Sequence, residues 1–394
     1  MNIPKLRFKE FSGEWEEKEL KETSIINPKI KELPNKFIYI DLESVEKGLL
    51  VKSNEIIKDE APSRAQRVLS VNDILFQTVR PYQKNNYFFK LNGDYVASTG
   101  YAQIRANESS EFLYQKLHTE NFVNKVLLRC TGTSYPAINS TDLSKIKIYI
   151  SGKQEQEKIA SFLSSIDKKI NQLSKKDELL QNYKKSMMQK IFSQKLRFKK
   201  ADGNDYPEWE EKKLGKISDV RDGTHDSPKY YDKGYPLITS KNLLSNGKID
   251  FENISLILEE DYNNINKRSK VDIGDILFGM IGTIGNPVLV EKEGFAIKNV
   301  ALIKEQNHLQ NKFLIHYLKS SLIEKQFYEQ NTGGTQKFIA LGVIRDLIIN
   351  LPILEEQTKI ANFLSSLDTK ISQNKKALEE TQKFKKALLQ KMFV

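Results

Sequence analysis

The chain has 394 residues, 39% of them hydrophobic, one cysteine (Cys130) and a net charge of +11. That length exceeds one ordinary core, so two or more domains are expected, and a lone cysteine excludes both a disulfide framework and a cysteine-rich zinc site. The charged start "MNIPKLRFKEF" lacks a secretory leader's apolar core and "DILFGMIGTIGNPVLV" is too short and broken to span a bilayer, so the expectation is a cytoplasmic protein with no membrane partner and a polyanionic one, such as nucleic acid.

In chain order, "KLRFK" stands at 5–9 and "WEEK" at 15–18. A run rich in branched and aromatic residues, "FIYIDLESV" at 37–45, predicts a strand. "DILF" at 73–76 leads into "QTVRPYQKNN" at 77–86, a loop bent by proline that offers Gln77, Arg80, Tyr82, Gln83 and Lys84. A helix is predicted over 111–128, followed by the loop "TGTSYP" at 131–136 with Thr133, Ser134 and Tyr135. "KIKIYISG" at 145–152 reads as a strand and a turn. From Glu155 to Ile191 there is neither Gly nor Pro, and apolar residues recur at Ile159, Leu163, Ile166, Ile170 and Leu173. Their alternating spacing is a heptad seam, which calls for helix-on-helix packing.

The chain then repeats itself. "KLRFK" returns at 195–199, "WEEK" at 209–212 and "DILF" at 275–278. "RDGTHDSPKYY" at 221–231 offers Thr224, His225, Ser227, Lys229 and Tyr230, and "YPLITSKNLL" at 235–244 reads as a strand followed by Lys241 and Asn242. A second helix is predicted over 312–329, and the loop "TGGTQKF" at 332–338 brings Thr335, Gln336 and Lys337. After the strand and turn of "DLIINLPILEEQ", the long helix is written again. Thirteen of the eighteen positions 155–172 are identical in 356–373, with the seam at Ile360, Leu364, Leu367, Ile371 and Leu378. The unit is about 200 residues long, so this is domain duplication and not a short-period solenoid.

Three consequences are expected. The fold is α/β: two tandem α/β domains alternate with two long helices that pair as an antiparallel coiled coil, in a pseudo-twofold circular arrangement. The segments are 1–152, 153–194, 195–353 and 354–394. The alternative for the seams is that each packs on its own globular domain. The loops differ where the framework agrees: "QTVRPYQKNNYFFK" faces the unrelated "GMIGTIGNPVLVEK". This suits two different recognition specificities, and ordinary loop drift equally. The helices carry most of the charge, with twelve Lys and Arg against five Asp and Glu in 153–199 and eight against five in 355–391.

No catalytic signature stands out. There is no G-x-x-x-x-G-K-[ST] loop. Gly279, Gly282 and Gly285 lack dinucleotide-binding spacing and read as tight turns or close packing. The four histidines are scattered, so no metal site is expected. Loop residues of the types named above are those that read base edges and phosphates.

The doubled "EQ.KIA.FLSS.D.KI" helix, the "KLRF…WEEK" entries, "GTHDSPKYYDKGYPLITSKN" and the paired "DILF" runs together resemble the specificity subunits of type I restriction–modification systems, over essentially the whole chain. The resemblance implies two target recognition domains that read a bipartite site in double-stranded DNA, with the helices as a ruler between them. It implies partners: two methyltransferase subunits, then restriction subunits. It also implies no catalysis and no cofactor in this chain, with S-adenosylmethionine held by the methyltransferase. Two other readings stay open: a self-contained DNA-modifying or DNA-cleaving enzyme, and a coiled-coil adaptor without DNA specificity.

Overall fold

The computed structural model describes residues 2–29, 32–330 and 338–394. The chain folds as two compact units: residues 1–175 with 375–394 (unit 1), and residues 176–374 (unit 2). The division falls inside the two long helices, Lys153–Phe192 and Leu354–Met392, so each unit contains the head of one and the tail of the other. Among the described residues no helix is long and apolar enough to cross a membrane.

Unit 1 is built on three sheets and a short hairpin. In the first sheet the strands run in the order Ser24–Ile26, Tyr101–Ala106, Ile74–Gln77, Tyr87–Phe88, all antiparallel. In the second the order is Asn54–Ile57, Lys36–Ile40, Tyr95–Ser98, Ala65–Val68, and the middle pair is parallel. The third pairs Glu16–Glu19 with Lys147–Ile150. Unit 2 repeats this plan. Its first sheet runs Val220–Asp222, Val300–Ile303, Ile276–Gly279, Gly285–Leu289. Its second runs Ser255–Ile257, Tyr235–Thr239, Ala296–Lys298, and the last two are again parallel. Glu210–Lys213 pairs with Ile348–Leu351. Where unit 1 has the strand Ala65–Val68, unit 2 packs the helix Glu259–Ser269 on Ala296–Lys298.

The repeated "DILF" shows why the framework is kept. Successive side chains of a strand point to opposite faces. Ile74 and Phe76 enter the cluster formed with the helix residues Leu113, Leu117 and Phe122, while Leu75 joins Tyr87, Phe89 and Tyr101 on the other face. Ile276 and Phe278 likewise part from Leu277. A strand covered on both faces must be apolar throughout. The aspartate before it is buried and braces the preceding turn. Asp73 accepts from Ser70 N at 2.7 Å and from Arg105 Nε at 2.8 Å. Asp275 accepts from Asp272 N at 2.8 Å and from Lys304 Nζ at 2.5 Å.

The helix seams are shared between both partners that the sequence allows. In unit 1, Ile159, Leu163 and Ile166 pack against Leu388 and Met392 of the other helix, and also against Trp15 and Phe112. In unit 2, Ile360, Leu364 and Leu367 belong to one cluster with Met188, Ile191, Phe192, Trp209 and Phe313. Head meets tail in both units, so the pairing is antiparallel. Leu173 is buried, and Ile170, Ile371 and Leu378 are half-buried. An ion pair fixes the register each time: Lys385 Nζ lies 2.5 Å from Asp167 Oδ1, and Lys184 Nζ 2.5 Å from Asp368 Oδ1. Leu364 is fully buried, so Leu364→Ala is expected to cost about 2–5 kcal/mol. Urea unfolding checks this; a loss below about 1 kcal/mol would show that the seam is not a packed core.

The two "KLRF" segments dock identically. Leu6 N donates to Lys391 O at 2.8 Å, and Leu196 N to Lys190 O at 3.0 Å. Arg7 forks onto Glu155 at 2.7 and 2.8 Å, and Arg197 onto Glu356 at 3.3 and 2.9 Å. In unit 1 the segment that meets the helix end is far from it in sequence; in unit 2 the two are continuous. This is the circular order that the sequence implies.

Candidate nucleic-acid interface

In unit 1 the structure brings together the two candidate loops. The strand Ile74–Gln77 runs into the turn Pro81–Gln83, and an isolated bridge joins Val79 to Ala137. Arg80 N donates to Pro136 O at 2.8 Å, and Ile138 N to Thr78 O at 3.0 Å. A second bridge, Thr131 to Ala137, closes the other loop into a tight hairpin around Gly132, whose φ is +89°. Tyr82, Gln83, Thr133, Ser134 and Tyr135 are exposed along the joined rim, and Arg80 is half-exposed, its guanidinium 4.2 Å from the centre of the Tyr135 ring.

Beneath the rim lies a polar floor. Gln77 is 4% exposed. Its Nε2 donates to Gln83 Oε1 at 2.9 Å and its Oε1 accepts from Asn85 N at 3.2 Å, so it braces the loop from inside. Asn86 Oδ1 accepts from Gln77 N at 2.8 Å, and Asn86 Nδ2 reaches His118 Nε2 at 3.4 Å. The other ring nitrogen, Nδ1, donates to Tyr114 O at 2.7 Å. Burial pushes the imidazole down to about 4, so it is neutral near pH 7. Lys84 is also committed: its Nζ donates to His118 O at 3.1 Å and to Glu120 at 2.9 Å.

In unit 2 two of the candidate stretches converge on Asn299. Thr224 bridges Lys298, and His225 Nδ1 sits 2.9 Å from Asn299 Oδ1. Lys298 Nζ donates to Ser227 Oγ at 2.7 Å. Ser240 Oγ donates to Asn299 O at 2.8 Å and accepts from Met280 N at 3.1 Å, which ties the "SKN" turn to the glycine-rich loop. Asn242 is 5% exposed. Its amide closes a capping box on Thr239 and donates to Asn253 O at 2.9 Å. His225, Ser227, Lys229, Tyr230 and Lys241 are exposed, and Thr224 is half-buried. Thr335, Gln336 and Lys337 lie outside the described residues. The segment that resumes at Phe338 is held as in unit 1: Phe338 bridges Ile281, and Ile339 N donates to Met280 O at 2.8 Å.

Gln77 and Asn242 are therefore placed as internal braces, not on the rim where the sequence reading put them. Sequence reasoning missed Asp222, Arg268, Asn299 and Ser240. Asp222 is buried between His225 Nε2, at 2.9 Å, and the Arg268 guanidinium, and so orients the "THD" loop. The pattern Thr239-x-x-Asn242, a capping-box spacing, was the available signal that this asparagine turns inward.

The loop backbones correspond even where the residues do not. Arg80 has φ +54° and Gly282, its counterpart, +74°; Lys84 has +55° and Asn286 +45°. Unit 2 fills these left-handed positions with the residues that tolerate them. Unit 1 uses arginine and lysine, at about 1 kcal/mol each. The rims offer hydrogen-bond donors, acceptors and aromatic faces on a rigid scaffold, which suits the reading of polar edges. Among the described residues no three of His, Cys, Asp and Glu are grouped to hold a metal ion.

Comparison with known proteins gives the same picture. The family model described as type I restriction modification DNA specificity domain matches twice, at residues 12–181 and 206–382. The chain is similar to the type I restriction enzyme MjaVIII specificity subunit of Methanocaldococcus jannaschii, with 26% identity over 91% of this chain and 85% of that one. A putative MjaX specificity subunit of the same organism is 29% identical over 71% of this chain and 65% of its own length. In fold the chain is similar to the S subunit of a type I restriction–modification system from M. genitalium, with a TM-score of 0.65 and 18% identity, covering 100% of this chain and 99% of that one.

Proposed function

The chain belongs to the type I restriction–modification DNA specificity family, and from that premise we infer how it works. It is the specificity subunit: it recognises DNA with two domains and assembles with the methyltransferase and restriction subunits of its system. We propose the finer points. Each domain reads one half of a split site, through the rim residues of its loops. The long helices space the two readers and offer equivalent docking positions to two methyltransferase subunits. The chain performs no catalysis; adenine methylation and its S-adenosylmethionine belong to the partner, in the cytoplasm.

One observation carries this reading. The family domain occurs twice on units whose first sheets share one strand order, and the two differ at the loops that leave the "DILF" strand. A duplicated scaffold with unlike rims is what a two-part, asymmetric target requires.

The test is to co-express the chain with its methyltransferase subunit and map methylated adenines across the host genome. The expected result is a split motif with a fixed unread gap. A continuous short motif, or methylation unchanged when this chain is omitted, would remove the reading.

A further inference from the structure

We propose that Arg80 reads a guanine in the half-site recognised by unit 1, with Tyr135 as the residue that positions it. This rests on the DNA-recognition reading above and adds to it a base and the side chain that chooses it.

Four observations converge. First, Arg80 occupies a left-handed backbone position, with φ +54°, that the duplicate fills with Gly282 at +74°. The framework needs only the conformation, and glycine supplies it without strain. An arginine there sits against its backbone preference, as happens at functional sites. Second, the position is held rigidly: Arg80 N donates to Pro136 O at 2.8 Å, and the adjacent Val79 bridges Ala137. Third, the guanidinium lies over the Tyr135 ring at 4.2 Å. A cation–π contact of this kind draws the group to the ring face and leaves its N–H donors unspent. Fourth, among the described residues the guanidinium makes no hydrogen bond or ion pair, and its aromatic contact is with that ring. Lys84 nearby is tied to Glu120 and His118, so Arg80 is the cation of this rim that is both rigid and unpaired.

The chemistry selects the base. A planar fork of N–H donors matches two adjacent acceptors. In the major groove guanine presents N7 and O6, both acceptors, whereas adenine pairs its N7 acceptor with an N6 donor. A preoriented guanidinium edge therefore fits guanine and is mismatched to adenine. A phosphate also accepts two such bonds but carries no sequence information, so the experiment must separate base from backbone.

The informative variant is Arg80→Gly. It restores the residue type of the duplicate, so it relieves the backbone and is expected to melt no lower than the parent chain. The full chain is co-expressed with its methyltransferase subunit and the methylated motif is mapped. The parent motif is expected to contain a G·C pair at a fixed position of one half-site. In Arg80→Gly, and in Arg80→Lys, which keeps the charge but loses the fork, preference for that pair should fall roughly 10- to 100-fold, with the other half-site unchanged. Tyr135→Phe keeps the ring face and should preserve the preference; Tyr135→Ala should weaken it. A half-site of A·T pairs alone, a motif unaltered in Arg80→Gly, or an even loss of methylation at all sites, the mark of a phosphate contact, would each overturn the assignment. A parent complex with no split motif would instead remove the underlying reading.

Discussion

Glu356→Ala is expected to destabilise unit 2 by about 3–5 kcal/mol. The Glu356 side chain is fully buried and accepts from Arg197 Nη2 at 2.9 Å and from Trp209 Nε1 at 2.9 Å. Removal strands a mostly buried guanidinium and an indole N–H together. Arg197 retains Tyr206 O at 3.2 Å, Pro207 O at 2.6 Å and the exposed Glu208 carboxylate at 3.5 Å, which holds the loss to that range. A guanidinium keeps its charge without the carboxylate, so its need for a partner is not relieved by titration. Glu155→Ala in unit 1 should cost less, because among the described residues Trp15 Nε1 has no hydrogen-bond partner and Arg7 alone is stranded. Urea unfolding of both variants against the parent measures the difference. Equal losses would show that the Trp209 hydrogen bond adds nothing, and a loss under about 1 kcal/mol for Glu356→Ala that the junction is held by apolar packing alone.

The second large effect is acid sensitivity. Burial lowers His118 to about 4, with the hydrogen bond to Tyr114 O and the Asp167 charge opposing the shift and Lys385 and Lys84 adding to it. Burial also lowers His316 to about 4, with Lys184 and Lys319 adding and Asp368 opposing. The unfolded value is about 6.5. Above pH 6.5 neither state binds the proton and nothing is lost. Between 6.5 and 4 the unfolded chain takes the proton and the folded chain does not, so stability falls as pH falls. Each histidine is expected to remove roughly 3 kcal/mol across that window. In unit 1 the effect reaches the rim, because His118 Nε2 faces Asn86 Nδ2 at 3.4 Å, and Asn86 holds the Gln77 backbone. Denaturant midpoints at pH 7, 5.5 and 4.5 for the parent and for His118→Gln test this. The variant should lose less stability on acidification than the parent; an identical decline would sink the assignment.

The duplication made the framework readable in advance. The positions Ile159, Leu163 and Ile166 are apolar at heptad spacing and are copied at Ile360, Leu364 and Leu367, so periodicity and repetition point to one buried seam. The sheets were far less legible. Strands of three to five residues, such as Ser24–Ile26 and Tyr235–Thr239, carry too few alternations to set neighbours, and the parallel pair in each unit joins segments some 60 residues apart. The rims were legible as places, not as side-chain roles. Nothing in "QTVRPYQKNN" says that Gln77 turns inward and Arg80 outward, because burial there is decided by the floor that Asn86, at the end of the stretch, builds with His118 from a distant helix end. The comparison of Arg80 with Gly282 was available in the aligned repeats, yet its meaning depends on a positive φ that only the fold displays.

The discontinuity of unit 1 also fixes an order of events during synthesis. Unit 2 is a single stretch, 176–374, and can close once that stretch is made. Unit 1 needs residues 375–394, which follow its first 175 residues by about 200 positions, or roughly 10–40 s at ordinary elongation rates. Through that interval Ile159, Leu163, Ile166, Trp15 and Phe112 lack Leu388, Met392 and Phe393, which complete their cluster. The half of the protein that is made first is the half that is finished last.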